Sequence, residues 1–433
     1  MRFERSRDLQ SRAARVIPGG SHCHAKGASE YPQASPGFIA RGSGCHVWDL
    51  DGNEYIEFAS GNRSVTLGHA FPSVLAAVTS ELEKGVNFSR PTPIETAAAE
   101  ALLDLVPASD RVKFCKNGSD ATTAALRLAR AATGRDHIAY CRDHPFFSSD
   151  DWFIATTPMS AGIPSTVAEL TLPFGYNRPA ELARLFAEFP GQIAAVILEP
   201  ARQEEPQDDF LGQVRRLCDA HGAVMILDEM ITGFRWDLGG GQAVYGVRPD
   251  LSCWGKGLAN GFSVSALSGI RSLMELGGPP DGVPEVFLLS TTHGAEPHSL
   301  AAAIATIDCY REQPVIETLY ARGRRLREGC QAAIRQLGIE SAFQLVGRDC
   351  CLNYVTRDSA GQPSAGFRAL FLQETIRRGV LASSLVVNYS HAEADIDRAV
   401  EAIAGALAVY RGALESGYDR FLIGDVPRPI YRR

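Results

Sequence analysis

The rhythm of apolar and polar residues changes twice along this chain. In a middle stretch beginning near position 72, apolar residues recur at helical spacing over 74–85, 94–105 and 121–132, with a short strand predicted at 112–115. Further on, 193–198 and 223–227 are unbroken apolar runs separated by a helical segment at 212–221. Strands buried on both faces of a parallel sheet have this character when helices join them. The middle stretch therefore predicts an α/β core.

The two ends read differently. The first turns form a short helix broken at Ile17-Pro18-Gly19-Gly20. Strands predicted at 38–41 and 46–49 lead through the turn Leu50-Asp51-Gly52-Asn53-Glu54 into a third at 55–58, a hairpin-like arrangement. Beyond Ala301 a long helical stretch runs through Arg322 to Leu337, and a last helix is expected over 394–411. The expected organisation is a segment 1–70 that contributes to a smaller domain, a large domain over 71–310 with a mostly parallel central sheet, and 311–433 completing the smaller α/β domain.

Composition narrows the partners. Of 433 residues, 45% are hydrophobic and 21% charged, the balance of a soluble globular chain. A formal net charge of −7, with no basic run, argues against nucleic acid. The ten cysteines are scattered, as at Cys23, Cys115, Cys218 and Cys309, and read as reduced core residues. The neighbours Cys350 and Cys351 point to opposite faces if their segment is a strand, so no bridge between them is expected. The N-terminus lacks the apolar core of a signal peptide, and no window reaches the roughly 18 apolar residues of a membrane span. A cytoplasmic location is expected.

Three features fall at the carboxyl ends of predicted strands, where open α/β sheets place their ligands. Glu199-Pro200 follows one strand, Asp228-Glu229 the next, and Trp254-Gly255-Lys256-Gly257 a third. A lysine between glycines is open to a ligand and becomes a Schiff-base nucleophile where its surroundings lower its pKa; alone, it equally fits a solvent-facing loop. A carboxylate ending a buried strand needs a partner. For Asp228 that partner is either the ring nitrogen of a pyridine cofactor or a local group such as Arg235. Lys116-Asn117-Gly118-Ser119-Asp120 opens the helix at 121–132, where Gly118, the Ser119 hydroxyl and free helix amides suit a phosphate, or simply cap the helix. No GxxxxGK[ST] loop is present, and Gly239-Gly240-Gly241 does not follow a strand directly, so a dinucleotide dehydrogenase is disfavoured.

In this order, the features resemble the class III, fold-type I aminotransferases, and within them the glutamate-1-semialdehyde aminomutase-like branch. The resemblance spans nearly the whole chain. It is carried by Pro18-Gly19-Gly20, Trp48-Asp49-Leu50-Asp51-Gly52-Asn53, Leu67-Gly68-His69, Asn117-Gly118-Ser119-Asp120-Ala121, Leu227-Asp228-Glu229-Met230-Ile231-Thr232-Gly233-Phe234-Arg235, Pro249-Asp250-Leu251 and Gly255-Lys256. It implies a large domain that binds pyridoxal 5'-phosphate, with Asn117, Gly118 and Ser119 as the phosphate cup. It further implies Asp228 on the ring nitrogen, Met230 packed on a ring face and Lys256 as the Schiff-base lysine. Thr292 falls where the family has a threonine that reaches the phosphate of a neighbouring subunit, which implies a homodimer with shared sites.

Four departures bear on the substrate. Where the family has Tyr-His-Gly, this chain has Arg142-Asp143-His144-Pro145-Phe146-Phe147, so Phe146, or after it His144, is the candidate stacking ring. Where the aminomutases carry a carboxylate-gripping arginine, the nearest cation is Lys26, which has no bidentate fork. Glu296 stands where Asn is common, and 382–387 lacks the arginine or glutamate of many relatives. Lys26, Glu199 and Glu296 are candidate substrate contacts. The expected activity is transfer of an amino group to a keto or aldehyde substrate, with a polyhydroxylated or otherwise non-acidic carbonyl compound, such as a sugar or sugar precursor, in view. An intramolecular 2,1-aminomutase, a racemase or epimerase on the same cofactor, and a non-catalytic binding protein are the rival readings. No metal site is expected from His22 and His24.

Overall fold

The computed structural model describes residues 1–278 and 286–428. The chain folds as two compact units, one of residues 1–71 with 317–433 and one of residues 72–316. In the first unit, strands β1 (Ile39–Ser43), β2 (His46–Asp49) and β3 (Glu54–Glu57) form an antiparallel meander. The second unit contributes β4 (Arg111–Cys115), β5 (His137–Cys141), β6 (Thr171–Phe174), β7 (Ile193–Leu198), β8 (Val224–Asp228), β9 (Leu251–Trp254) and β10 (Ser265–Gly269). Returning to the first unit, β11 (Phe343–Val346) pairs with β12 (Asn353–Thr356), and β13 (Val380–Leu381) adds in parallel to β3.

The second unit is built on one seven-stranded sheet of order β4-β10-β9-β8-β7-β5-β6. All its neighbours run parallel except β10, which is antiparallel to both β4 and β9. Strands β7, β8 and β9 are buried at every position, as their apolar runs require. The helices Gly118–Thr133 and Phe210–His221 bury alanine, leucine and valine into the same core. This is the α/β core expected from the alternation of runs and helices, in the fold-type I arrangement that the resemblance implies.

The differences from the sequence expectation have local causes. Strand β10 reads Ser-Ala-Leu-Ser-Gly, small and half polar, yet all five residues are buried between two neighbours. Strand β6 contains Pro173 and sits at the sheet edge, where a missing amide donor is tolerated. The single long helix expected beyond Ala301 is two, Pro297–Glu312 and Val315–Leu337, because Pro314 between them cannot continue a helical hydrogen-bond ladder. All ten cysteines are free thiols and nine of them are buried.

In the first unit, the Trp48-to-Asn53 motif is a folding device. Asp49, 3% exposed, accepts from the amides of Asp51 (2.9 Å) and Asn53 (2.8 Å), from Asn53 Nδ2 (2.8 Å) and from the Tyr55 hydroxyl (2.9 Å). Across the β1–β2 pair, the Arg41 guanidinium lies 3.5 Å from the centre of the Trp48 ring. No helix among the described residues is long and apolar enough to cross a membrane.

Candidate active site

Parallel pairing delivers three chemically active residues to one edge of the sheet. Leu198 is in register with Leu227, so Glu199 and Asp228 leave adjacent strands side by side. Asp228 in turn is in register with Cys253 on β9, three residues before Lys256. The Glu229 amide donates to the Cys253 carbonyl (2.9 Å) and continues the pairing past the strand end. Lys256 has a φ of +48° and stands between Gly255 and Gly257, partly exposed while its neighbours are buried.

The two carboxylates are pushed in opposite directions. Burial lifts the Asp228 carboxyl well above the usual carboxylate range; the charge of Glu199 adds to that and Lys256 pulls it back. Its Oδ1 accepts the Met230 amide at 2.9 Å. Burial also acts to raise Glu199, but Arg202 above all, with His144 and Lys256, outweighs it and holds the group below its ordinary value. Arg202 Nη1 donates to Glu199 Oε1 at 2.7 Å, while Glu199 Oε2 is buried without a hydrogen-bond partner among the described residues. Glu199 is thus the charged member, and Asp228 is able to keep a proton near neutrality.

His144 stands behind this pair. Its Nδ1 accepts the Glu199 amide at 3.0 Å, which leaves the ring proton on Nε2, and burial pushes its pKa down to about 4. It is 3% exposed and tilted against Tyr176, with ring centres 5.1 Å apart. The histidine is therefore a neutral support for the Glu199 backbone. Phe146, 45% exposed, meets Phe153 edge-on at 5.6 Å and is the more accessible of the two candidate stacking rings.

Met230 ties the cup to the lysine loop. A Cβ placed on Gly118 would lie 3.0 Å from Met230 Sδ, and one on Gly255 would lie 2.6 Å from both Met230 Sδ and Ser265 Oγ. With glycine at both positions the thioether fits between them, most tightly at Gly255. Asn117 caps the helix Gly118–Thr133 in a reciprocal box with Asp120: Asn117 Oδ1 accepts the Asp120 amide (3.2 Å) and Asp120 Oδ2 accepts the Asn117 amide (3.1 Å). Ser119 Oγ accepts from the amide and hydroxyl of Ser149 at 2.9 and 3.1 Å, so its own hydroxyl proton remains for another acceptor. The helix's first-turn amides add the donors and dipole that favour an anion.

Lys26 belongs to the first unit, exposed at the end of the turn His24–Lys26. Glu296 precedes the helix Pro297–Glu312, and its carboxylate is the counter-ion of Lys116, with His293 Nδ1 at 3.6 Å and His298 Nε2 at 3.8 Å. Glu296, a candidate substrate contact in the sequence, has its counter-charge 180 residues away. Thr292 is exposed in the turn before that helix. Sequence reasoning missed Lys116 and Arg202. Their only signals were adjacency to Asn117 and a three-residue spacing from Glu199.

This combination of buried acid, glycine-flanked lysine and helix-capped cup fits a phosphorylated pyridine aldehyde, since each polar part of that molecule meets a group that suits it. The aminotransferase class-III family model matches residues 28–341. The chain belongs to the class-III aminotransferase family. As a member of this pyridoxal-phosphate family it is an enzyme, and pyridoxal 5'-phosphate is its cofactor. A glutamate-1-semialdehyde 2,1-aminomutase of Desulforamulus reducens is 33% identical over 422 residues, covering 92% of this chain and 96% of that protein. The FumI protein of Sphingopyxis sp. MTA144, solved in its pyridoxal-phosphate form, is 30% identical with a TM-score of 0.87, covering 99% of this chain and 100% of its own. An omega-transaminase from Sphaerobacter thermophilus is 28% identical with a TM-score of 0.85, covering 94% and 98%.

Proposed function

We propose that this class-III enzyme moves an amino group from an amine donor to a keto or aldehyde acceptor, with Lys256 as covalent anchor and acid–base group. The observation that carries the reading is the delivery of Glu199, Asp228 and Lys256 to one edge by three adjacent parallel strands. When bound, pyridoxal phosphate supplies the carbonyl that exchanges with the amine and the electron sink for the bond rearrangement. Lys256 Nζ would take the proton from the amine-bearing carbon and deliver it to the former carbonyl carbon of the cofactor, the shift that moves the amino group. Asp228, the buried carboxylate at the end of β8, would face the ring nitrogen and keep it protonated. Asn117, Gly118 and Ser119 hold the phosphate, Met230 packs against the ring and Phe146 stacks on it. In a homodimer, Thr292 of each chain reaches the phosphate held by the other. Lys256→Ala abolishes turnover.

For the acceptor we infer a neutral, hydroxyl-bearing carbonyl compound, a sugar or sugar precursor. What supports this is lysine at position 26 in place of the aminomutase branch's arginine, and the lack of arginine or glutamate over 382–387. The relatives named glutamate-1-semialdehyde 2,1-aminomutase favour a second reading, in which one molecule both gives and receives the amine. Purified holoenzyme given glutamate-1-semialdehyde and no external amine decides between them. Formation of 5-aminolevulinate at an enzymatic rate selects the second reading and sinks the first; no product without a donor retains the first.

A further inference from the structure

The ion pair behind Asp228 is left half-made. A carboxylate and a guanidinium saturate one another through two parallel hydrogen bonds, yet Arg202 and Glu199 share one, from Nη1 to Oε1 at 2.7 Å. Glu199 Oε2 is buried and has no partner among the described residues. Among the described residues Arg202 makes no other hydrogen bond, so most of its five N–H groups remain for something else. The pair is also asymmetric: the carboxylate side chain is 3% exposed and the guanidinium side chain 24%. Glu199 holds the arginine from its buried side, and Arg202 itself lies in the loop that leaves β7 at the edge carrying Asp228 and Lys256.

Cations that follow other strands at this edge have prior engagements, Arg142 with Glu181 among them. Lys116 is held by Glu296, and Lys256 is used in the chemistry on the reading above, on which this inference rests. An amino acid brought to Lys256 carries its carboxylate into a partly buried space, where an unpaired charge is costly. We propose that Arg202 is the specificity-determining residue that takes the carboxylate of an amino-acid donor, with Glu199 anchoring one edge of the guanidinium and leaving the other free. A ligand hydroxyl or ammonium beside that carboxylate has Glu199 Oε2 as its acceptor. Substrate acidity is thus read by a loop residue on the sheet edge and not by the segment around Lys26.

The test compares a carboxylate with its deletion. Holoenzyme is mixed with L-alanine or with isopropylamine, which differs only in a methyl group replacing the carboxylate, and the loss of cofactor absorbance is followed. Arg202→Gln is expected to raise the half-saturating concentration of L-alanine by about 30-fold, the effect of losing a charge-assisted contact, and that of isopropylamine by less than about threefold. Arg202→Lys, which keeps the charge and loses the fork, falls between. Because Arg202→Gln strands a buried carboxylate, Glu199→Gln/Arg202→Gln is measured beside it. A readout free of turnover is calorimetric binding of succinate to the holoenzyme, expected to weaken at least about tenfold in the Arg202 variants and to hold in Lys26→Ala. Equal succinate affinity in wild type and Arg202→Gln overturns the proposal. So does a larger loss in Lys26→Ala, or a wild-type holoenzyme that binds neither succinate nor L-alanine. A holoenzyme that binds succinate through Arg202 but never loses absorbance with any amine sinks the amino-transfer reading and leaves this one standing.

Discussion

Replacing Asp228 with asparagine isolates one charge. The side chain is 3% exposed at the end of β8, and its Oδ1 accepts the Met230 amide at 2.9 Å, a bond the asparagine oxygen preserves. Shape and local backbone are kept, while the group that shares a proton with the cofactor's ring nitrogen is lost. Burial leaves no solvent to discount the effect. Removing one partner of a buried pair costs about 3–5 kcal/mol; at about 1.4 kcal/mol per tenfold, kcat should fall roughly 10²- to 10⁴-fold. The assay is steady-state turnover of wild type and Asp228→Asn at saturating cofactor, repeated with N-methylated pyridoxal phosphate, whose ring nitrogen is permanently positive. The methylated cofactor should restore part of the loss in the variant and none in the wild type. A kcat within about threefold of wild type would refute the reasoning. Equal turnover of the variant with the two cofactor forms would do the same. The cofactor-free protein gives an independent sign. A carboxyl whose folded pKa is raised contributes stability at low pH that is lost as pH rises through the raised value, about 7. Apo Asp228→Asn should therefore melt above apo wild type at alkaline pH, and the difference should close as the pH falls toward 4.

Gly255→Ala places a Cβ 2.6 Å from Met230 Sδ and Ser265 Oγ. Overpacking of this kind costs about 1–3 kcal/mol, so the variant should melt lower and retain less cofactor on dialysis, and Met230→Ala should relieve part of both effects. An unchanged melting temperature and cofactor content would mean that the thioether is not wedged between the glycines. Asp49→Ala strips four donors of their shared acceptor in the first unit and should cost about 2–4 kcal/mol, read by denaturant unfolding, with kcat/KM of the folded fraction unchanged. A selective loss of kcat/KM would instead give Asp49 a part in the reaction.

How much of this was readable in the chain follows from the range of the forces involved. Strands β7, β8 and β9 announce themselves because a strand buried on both faces must be apolar along its length, so Glu199, Asp228 and Lys256 stand out where the run stops. Sheet order then does the rest, and sequence does not encode that order in any local signal. Strand β10 lies beyond such reading because its small polar residues owe their burial to β4 and β9, not to their own apolarity. The Lys116–Glu296 pair joins segments 180 residues apart, so only the assembled sheet edge reveals that neither charge is free. Arg202 is the instructive miss. Its spacing from Glu199 was visible, but a three-residue interval in a Pro-containing loop fixes no geometry, and a surface ion pair would have been a sufficient explanation. Glu199 being buried, with one oxygen still lacking a partner, changes that weighing. An exposed pair competes with water and selects nothing; one anchored from inside a fold and open on a single side has its orientation set before any ligand arrives. The departure at position 26 therefore does not by itself remove recognition of a donor's carboxylate, which on the proposal above falls to Arg202 on the strand-end loop.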